Sequence, residues 1–172
     1  SLYDTTIHYN VTGGSDAWDS DNYLNIWVCN IYGGILGWAQ FPYAGTKETD
    51  GVVINHDNFG VNLNYSSAYN LGRTTTHEVG HWLNLFHVWG DNTCGDDFVF
   101  DTPTQEQANY GCKAHPFISC QNSGDMFMNF MDYSDDDCMN LFTNGQKSRA
   151  WNCLINYRDK IFISDGCDTS NF

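Results

Sequence analysis

The chain has 172 residues, enough for one domain with a sizeable buried core. Its net charge of −14 repels polyanions, so neither nucleic acid nor an acidic membrane surface is expected as a partner. Only 16% of the residues are charged and 41% are hydrophobic, which predicts a folded domain rather than charge-driven disorder. The longest apolar stretch, Ile26–Phe41, is interrupted by polar residues and glycines and is too broken to span a membrane.

Seven cysteines are many for a cytosolic enzyme, and none of them forms a C-x-x-C pair. Four lie in one loop-rich stretch, which predicts two disulfides formed in an oxidising compartment: Cys94, Cys112, Cys120 and Cys138. Spacing alone allows three connectivities of these four and leaves the pairing of Cys29, Cys153 and Cys167 open. The first residues have neither a basic start nor an apolar run, so we expect the mature piece of a secreted protein.

The first half of the chain is predicted to be extended. β-formers and short apolar runs predict strands at Tyr23–Cys29, Gly33–Pro42 and Gly51–Asn55, the second of them at a sheet edge because of its glycines. A helix follows, with Asn70 as its N-cap and apolar residues at helical spacing through Asn84.

The second half contains a long loop and one helix. From Trp89 to Asp125 there is little periodicity but much Gly, Asp, Asn, Pro and Cys, so we expect a loop that disulfides hold in place. Thr143 and Gln146 form a capping box, which predicts the start of a second helix.

The first predicted helix carries a metal-site pattern. His77 and His81 are four residues apart and can present two imidazoles to one metal, while Glu78 can reach a metal-bound water. A straight helix would place His87 about 9 Å along the axis from His81. The chain must therefore turn, and Asn84 is suited to a left-handed turn. Three histidines, an open position and an adjacent carboxylate indicate a catalytic rather than a structural zinc site.

At these residues the sequence resembles the metzincin metallopeptidases, whose motif is H-E-x-x-H-x-x-G-x-x-H followed by a Met-turn. More narrowly it resembles the ulilysin-like members of the pappalysin family. The resemblance covers most of the chain, in these stretches: Tyr23–Cys29, Gly34–Pro42, Arg73–His87, Asp101–Pro103 and Asn129–Gln146. It implies zinc bound by His77, His81 and His87, with Glu78 as general base and acid.

The resemblance also implies a Met-turn and a tyrosine beside the metal. Sequence alone does not choose among Met126, Met128 and Met131. The family pattern selects Met131 because Tyr133 follows two residues later, where its hydroxyl would stabilise an oxyanion.

Three further assignments come from the same resemblance. The acid before Cys138, Asp137, would form the base of the S1′ pocket and select Arg or Lys after the scissile bond; a one-residue shift would give this role to Asp136. Calcium is implied near Asp97 and Asp101, where ordinary turn acids are the alternative. The implied disulfides are Cys94–Cys120 and Cys112–Cys138.

These features predict an α+β, metzincin-type catalytic domain over residues 1–172, with a twisted mixed sheet, an active-site helix and a C-terminal helix. Residues 1–87 would form an N-terminal part and residues 88–172 a loop-rich, disulfide-bonded C-terminal subdomain. Only 76 residues precede His77, which is short for the family, so a missing N-terminal fragment or an inhibitory prosegment is an expected partner.

The predicted function is that of a secreted zinc endopeptidase that acts on polypeptides and prefers Arg or Lys at P1′. One alternative is a metal-stabilised binding or adhesion domain without catalysis. Another is a metzincin whose S1′ pocket prefers an apolar residue.

Overall fold

We describe residues 5–165 in a computed structural model of the chain. Three strands form one sheet: β1 (Asn25–Cys29), β2 (Gly37–Ala39) and β3 (Gly51–Asn55). Three helices follow: α1 (Arg73–Trp82), α2 (Asn144–Asn156) and α3 (Asp159–Phe162). Short 3₁₀ turns lie at Thr5–His8, Asn10–Thr12, Lys47–Thr49 and His56–Asn58. No helix in this part of the chain has the length and apolar character needed to cross a membrane.

The sheet has the strand order β1-β3-β2, with β3 in the centre. β1 runs parallel to β3, and β2 pairs antiparallel with β3 so that Gly37 lies opposite Ile54. The central strand is almost entirely apolar because both of its faces are covered, and Val52 and Ile54 are fully buried. The prediction of an edge strand within Gly33–Pro42 is confirmed, although only three residues of it pair.

The main apolar core lies between the sheet and α1. Val52, Ile54 and Trp82 are its buried centre, and Leu154 from α2 packs against them. A buried cation closes this core from the far side, since the Arg158 guanidinium lies 3.7 Å from the centroid of the Trp82 ring. The core thus fixes α1 against β3 and β2.

The N-cap predicted at Asn70 is wrong. The helix begins at Arg73 after Gly72, which adopts a left-handed conformation with φ of 80°, and the Asn70 amide instead donates to the Tyr65 carbonyl. The amides at the start of α1 are satisfied from a distant loop, because Asp136 accepts hydrogen bonds from the backbone of Leu71 and Arg73. The capping box predicted at Thr143 and Gln146 is present at the start of α2.

The segment between α1 and α2 has no helix or strand among the described residues, only isolated bridges and turns. Two disulfides cross it, Cys94–Cys120 and Cys112–Cys138, which is the pairing that the resemblance implies. Of the remaining cysteines, Cys153 is buried with its sulfur near the Trp82 carbonyl, and Cys167 lies outside the described residues.

Candidate active site

Helix α1 places His77, Glu78 and His81 in the protein interior, where each side chain is at most 8% exposed. The helix ends at Trp82, and Asn84 adopts the left-handed conformation expected of it, with φ of 70°. The turn is closed by hydrogen bonds from the backbone of Asn84 to His81 and of Leu85 to Gly80. It reverses the chain and returns His87 to the other two histidines.

The three imidazoles converge on one point. The Nε2 atom of His81 lies 3.0 Å from that of His77 and 3.1 Å from that of His87. Within residues 5–165 these three form the single group of three or more His, Cys, Asp or Glu side chains whose ligand atoms all lie within 4.8 Å of one another. The nitrogens are close enough for one small cation to contact all three.

Each imidazole is oriented by an oxygen at its other nitrogen. Nδ1 lies 2.7 Å from the Phe130 carbonyl in His77, 2.8 Å from the Leu85 carbonyl in His81, and 2.6 Å from the Asp91 carboxylate in His87. A carbonyl or carboxylate oxygen can only accept, so Nδ1 carries the proton and the Nε2 lone pairs face one another. Three neutral imidazoles arranged in this way could hold a metal ion.

The electrostatics agree with neutral histidines. Burial lowers the pKa of His81 to about 4, and burial with the neighbouring imidazoles lowers the pKa of His77 well below its usual value. Burial also raises the pKa of Glu78 to about 8. A cation held by the histidines would lower that last value again, since an opposite charge favours the carboxylate.

Met131 lies beneath this site and is fully buried against Leu85 and Val88. Its sulfur occupies the space that a side chain at Gly80 would need, which explains a glycine inside α1. The Asn129 carboxamide holds the turn, because its oxygen accepts a hydrogen bond from the Met131 amide and its NH₂ donates to Gln146 on α2. Met126 and Met128, the other methionines in this stretch, are only partly buried.

Tyr133 stands beside the histidines, with its ring centroid 5.5 Å from that of His77 and 5.0 Å from that of His87. Its backbone is held on both sides. The amide donates to the Asp132 carboxylate at 2.8 Å, and the carbonyl accepts from the Tyr69 hydroxyl at 3.1 Å. The backbone at Tyr133 is therefore held in place while 36% of the residue stays exposed.

A cleft of about 460 Å³ is lined by two of these groups, Glu78 and Tyr133. The cleft is lined by residues 34–37, at the start of the edge strand β2, and by three tyrosines: Tyr69, Tyr110 and Tyr133. Glu78 lines the same cleft, so its buried carboxyl group can be approached from this side.

The two neighbouring acids proposed for the pocket differ in their surroundings. Asp136 is 2% exposed and its carboxylate is bound to the backbone at the start of α1. Asp137 is exposed and makes no hydrogen bond within the described part of the chain. It is not among the residues that line the cleft.

Within residues 5–165, neither acid suggested for calcium belongs to a group of three or more close ligand side chains. Asp101 accepts hydrogen bonds from the Thr143 hydroxyl and the Gly145 amide, and so it stabilises the start of α2. Asp97 is 3% exposed; its Oδ1 accepts from Val99 and Thr102, whereas its Oδ2 is buried without a partner.

Sequence reasoning missed the groups that orient the site. Asp91 lies four residues after His87, and that spacing could have suggested it. The Phe130 and Leu85 carbonyls are backbone atoms and carry no side-chain signal. Asp132 and Tyr69 are single residues whose roles depend on contacts with distant parts of the chain.

Comparisons with known proteins agree with this geometry. The peptidase M43 family model, described as pregnancy-associated plasma protein-A, matches residues 8–155. The chain belongs to this family. It is 43% identical over 132 residues to an extracellular metalloprotease of Colletotrichum graminicola, covering 72% of this chain and 46% of that protein. An extracellular metalloprotease of Verticillium alfalfae is 41% identical over 145 residues, covering 80% of this chain and 51% of that protein.

The chain therefore spans about half the length of these fungal relatives. Among solved structures, mature mirolysin of Tannerella forsythia in complex with a cleaved peptide superposes with a TM-score of 0.88 at 42% identity. That match covers 94% of this chain and 65% of mirolysin. Promirolysin of the same organism gives a TM-score of 0.84. The pappalysin family and the α+β metzincin-type fold predicted from the sequence are confirmed.

Proposed function

We propose that this pappalysin-family chain is a secreted zinc endopeptidase that cuts polypeptides before Arg or Lys. The observation that carries the proposal is the convergence of three Nε2 atoms, each with its Nδ1 bound to an oxygen, beside a buried glutamate in an open cleft. Two disulfides and the name of the fungal relatives support an extracellular location.

His77, His81 and His87 would hold the zinc ion. Three neutral nitrogen ligands and a cleft on the open side suit a catalytic site, which keeps one position for water or substrate. The chemistry that zinc supplies when bound is Lewis acidity, which polarises a carbonyl group and makes water more acidic.

Glu78 would act as general base and then as general acid. Its carboxyl group lies in the cleft beside the histidines, where it can remove a proton from the attacking water and return it to the leaving amine. The Tyr133 hydroxyl would donate a hydrogen bond to the oxyanion of the tetrahedral intermediate. Met131 would form the apolar floor that keeps the histidines in position.

The substrate would bind as an extended strand along β2. This strand pairs with β3 and lies at the end of the strand order, so an antiparallel peptide can be added beside it. The mirolysin structure in complex with a cleaved peptide supports a polypeptide as the substrate here. Promirolysin supports a prosegment as a further partner.

Asp137 would select the basic residue at P1′. Because Asp136 is committed to the start of α1, Asp137 is the neighbouring acid that remains available for a substrate cation. An Arg or Lys side chain pairs favourably with such a carboxylate, and the net charge of −14 favours cationic substrates generally.

Calcium is proposed at Asp97, whose buried and unpartnered Oδ2 supports an additional cation there; Asp101 would contribute only if it released the start of α2.

Residues 1–87 and 88–172 are proposed as the two parts of one catalytic domain. The zinc ligands lie at the end of the first part, and the proposed Met-turn belongs to the second.

The test is digestion of a denatured protein of diverse sequence by the metal-loaded chain, with and without a zinc chelator, with cleavage sites assigned by mass spectrometry. Chelator-sensitive cuts before Arg or Lys are the expected result. Chelator-sensitive cuts at other positions would keep the peptidase and remove the proposed P1′ preference. A folded, zinc-loaded sample that cuts nothing would favour a metal-stabilised binding domain.

A further inference from the structure

The direction of β2 determines which end of the cleft would bind the substrate residues that follow the scissile bond. β2 runs from Gly37 to Ala39, so an antiparallel peptide on its open edge runs from Ala39 towards Gly37. Glu78 lies against Gly37, because a side-chain carbon built on this glycine would meet the Glu78 Cγ at 3.0 Å. If the bond beside Glu78 is cut, as the proposed function requires, the substrate residues that follow the cut continue along residues 34–36.

That side of the cleft has an aromatic wall. Tyr133 is next to the histidines, and the Tyr110 ring centroid lies 6.0 Å from that of Tyr133. Tyr110 lines the same cleft as residues 34–37. The side chain of the first residue after the cut would enter between this wall and the edge segment.

Tyr110 is exposed but its backbone is held on both sides. The Asn109 amide donates to Asp132 at 2.8 Å, and the Gly111 amide donates to Asp135 at 3.1 Å. The disulfide Cys112–Cys138 joins the same two segments one residue later. The ring is 61% exposed on this fixed support, so a ligand that contacts it loses little additional backbone entropy.

The surroundings of Tyr110 suit a cation. The face of a tyrosine ring attracts ammonium and guanidinium groups, and the Asp135 carboxylate is bound to the adjacent residue. Tyr69 is a weaker candidate, because it is only partly exposed and offers less of its ring to a ligand than Tyr110 does. We propose that Tyr110 is a specificity-determining residue whose ring contacts a cationic P1′ side chain, an inference that rests on the proposed function.

The experiment compares three peptides that are identical except for P1′, which is Arg, its neutral analogue citrulline, or Leu. The zinc-loaded full chain is assayed as wild type, Tyr110→Leu and Tyr110→Phe. Tyr157→Leu is the matched control, since Tyr157 is 57% exposed and lies after α2, away from the cleft. Binding of the Arg peptide is also measured by calorimetry in Glu78→Ala, with and without Tyr110→Leu.

We expect Tyr110→Leu to raise KM for the Arg peptide roughly tenfold, with kcat changed less than about twofold. The citrulline and Leu peptides should change less than about twofold, as should Tyr110→Phe and Tyr157→Leu with every peptide. An unchanged KM for the Arg peptide would overturn the proposal. An equal rise for all three peptides would also overturn it, because it would assign the effect to loop structure.

The two proposals fail in different ways. If the wild-type chain cleaves none of the peptides, the proposed function fails, but binding to Glu78→Ala still tests Tyr110. Roughly tenfold weaker binding of the Arg peptide after Tyr110→Leu would support the contact. Equal binding would exclude it.

Discussion

The sheet with α1 and the segment between α1 and α2 are stabilised by different interactions. The first region is held by apolar packing around Val52, Ile54 and Trp82. The second region has a smaller apolar cluster of Leu85, Val88 and Met131, and it also depends on buried polar side chains. Asp132 alone accepts hydrogen bonds from Gln105, from Asn109 and from the Tyr133 amide. Apolar packing tolerates small adjustments, whereas each hydrogen bond lost from a buried polar network is costly.

The two regions contribute different groups to the site. Helix α1 supplies His77, Glu78 and His81, whereas the third proposed zinc ligand, His87, and the proposed oxyanion donor, Tyr133, lie in the segment after it. The segment after α1 supplies the oxygens of Phe130, Leu85 and Asp91 that orient the imidazoles. Substitutions in the two regions should therefore affect catalysis, stability and zinc affinity separately.

The largest expected effect is on kcat, when the Glu78 carboxylate of α1 is removed. Glu78→Ala removes the proposed general base without touching the histidines, so kcat should fall by about 10²–10⁴-fold while zinc content and melting temperature stay near wild type. Peptide cleavage, metal analysis and calorimetry measure the three quantities. Glu106→Ala is the control, since Glu106 is exposed in the loop. Full activity of Glu78→Ala would contradict the mechanism.

The next largest effect is expected on stability, when the buried cation beside the apolar core, Arg158, is replaced. Arg158 is 7% exposed; it binds the Asp50 carboxylate at 2.5 Å and the Trp82 carbonyl at 3.1 Å. Arg158→Ala leaves the Asp50 charge without its cation, and the free energy of unfolding should fall by about 3–5 kcal/mol. Denaturant titration of the metal-loaded protein measures this value.

Lys160→Ala is the control for this cation, because Lys160 and its partner Asp21 form a solvent-exposed pair. It should leave the denaturation midpoint close to wild type. Equal losses in the two variants would show that burial of Arg158 contributes nothing to its effect.

The same contrast explains what the sequence could predict. Local patterns were sufficient for the histidine spacing, for the left-handed turn at Asn84 and for the capping box at Thr143, since each depends on residues close in the chain. The cap at Asn70 was mispredicted because the Asp136 carboxylate, brought close only by the fold, takes that role. The Asp132 network could not be predicted, because nothing local distinguishes this acid from others nearby.

A smaller loss of stability is expected when a cross-link of the polar region is removed. The Cys94–Cys120 disulfide has a sequence separation of 26, and its removal by Cys94→Ser with Cys120→Ser should cost about 3 kcal/mol in the chain-entropy model. Hydrogen exchange should rise around residues 94–120 and stay low in α1. Faster exchange in α1 to the same extent would show that the two regions unfold as one unit.

The smallest expected effect is on zinc affinity, when the loop residue that orients His87 is replaced. The Asp91 carboxylate is 2.6 Å from Nδ1 of His87, and this contact is the one side-chain partner among the three oxygens that orient the histidines. Asp91→Ala should therefore weaken zinc affinity by about 10–100-fold, because His87 loses both its fixed tautomer and its ring orientation. Competition with a chromogenic chelator measures the affinity directly.

Asp91→Asn separates orientation from charge. The asparagine oxygen can still accept a hydrogen bond from Nδ1–H but carries no charge. The zinc affinity of Asp91→Asn should therefore lie between those of wild type and Asp91→Ala. If Asp91→Ala binds zinc as tightly as wild type, the backbone turn at Asn84 is sufficient to position His87. The polar region would then orient the metal site through its backbone carbonyls alone.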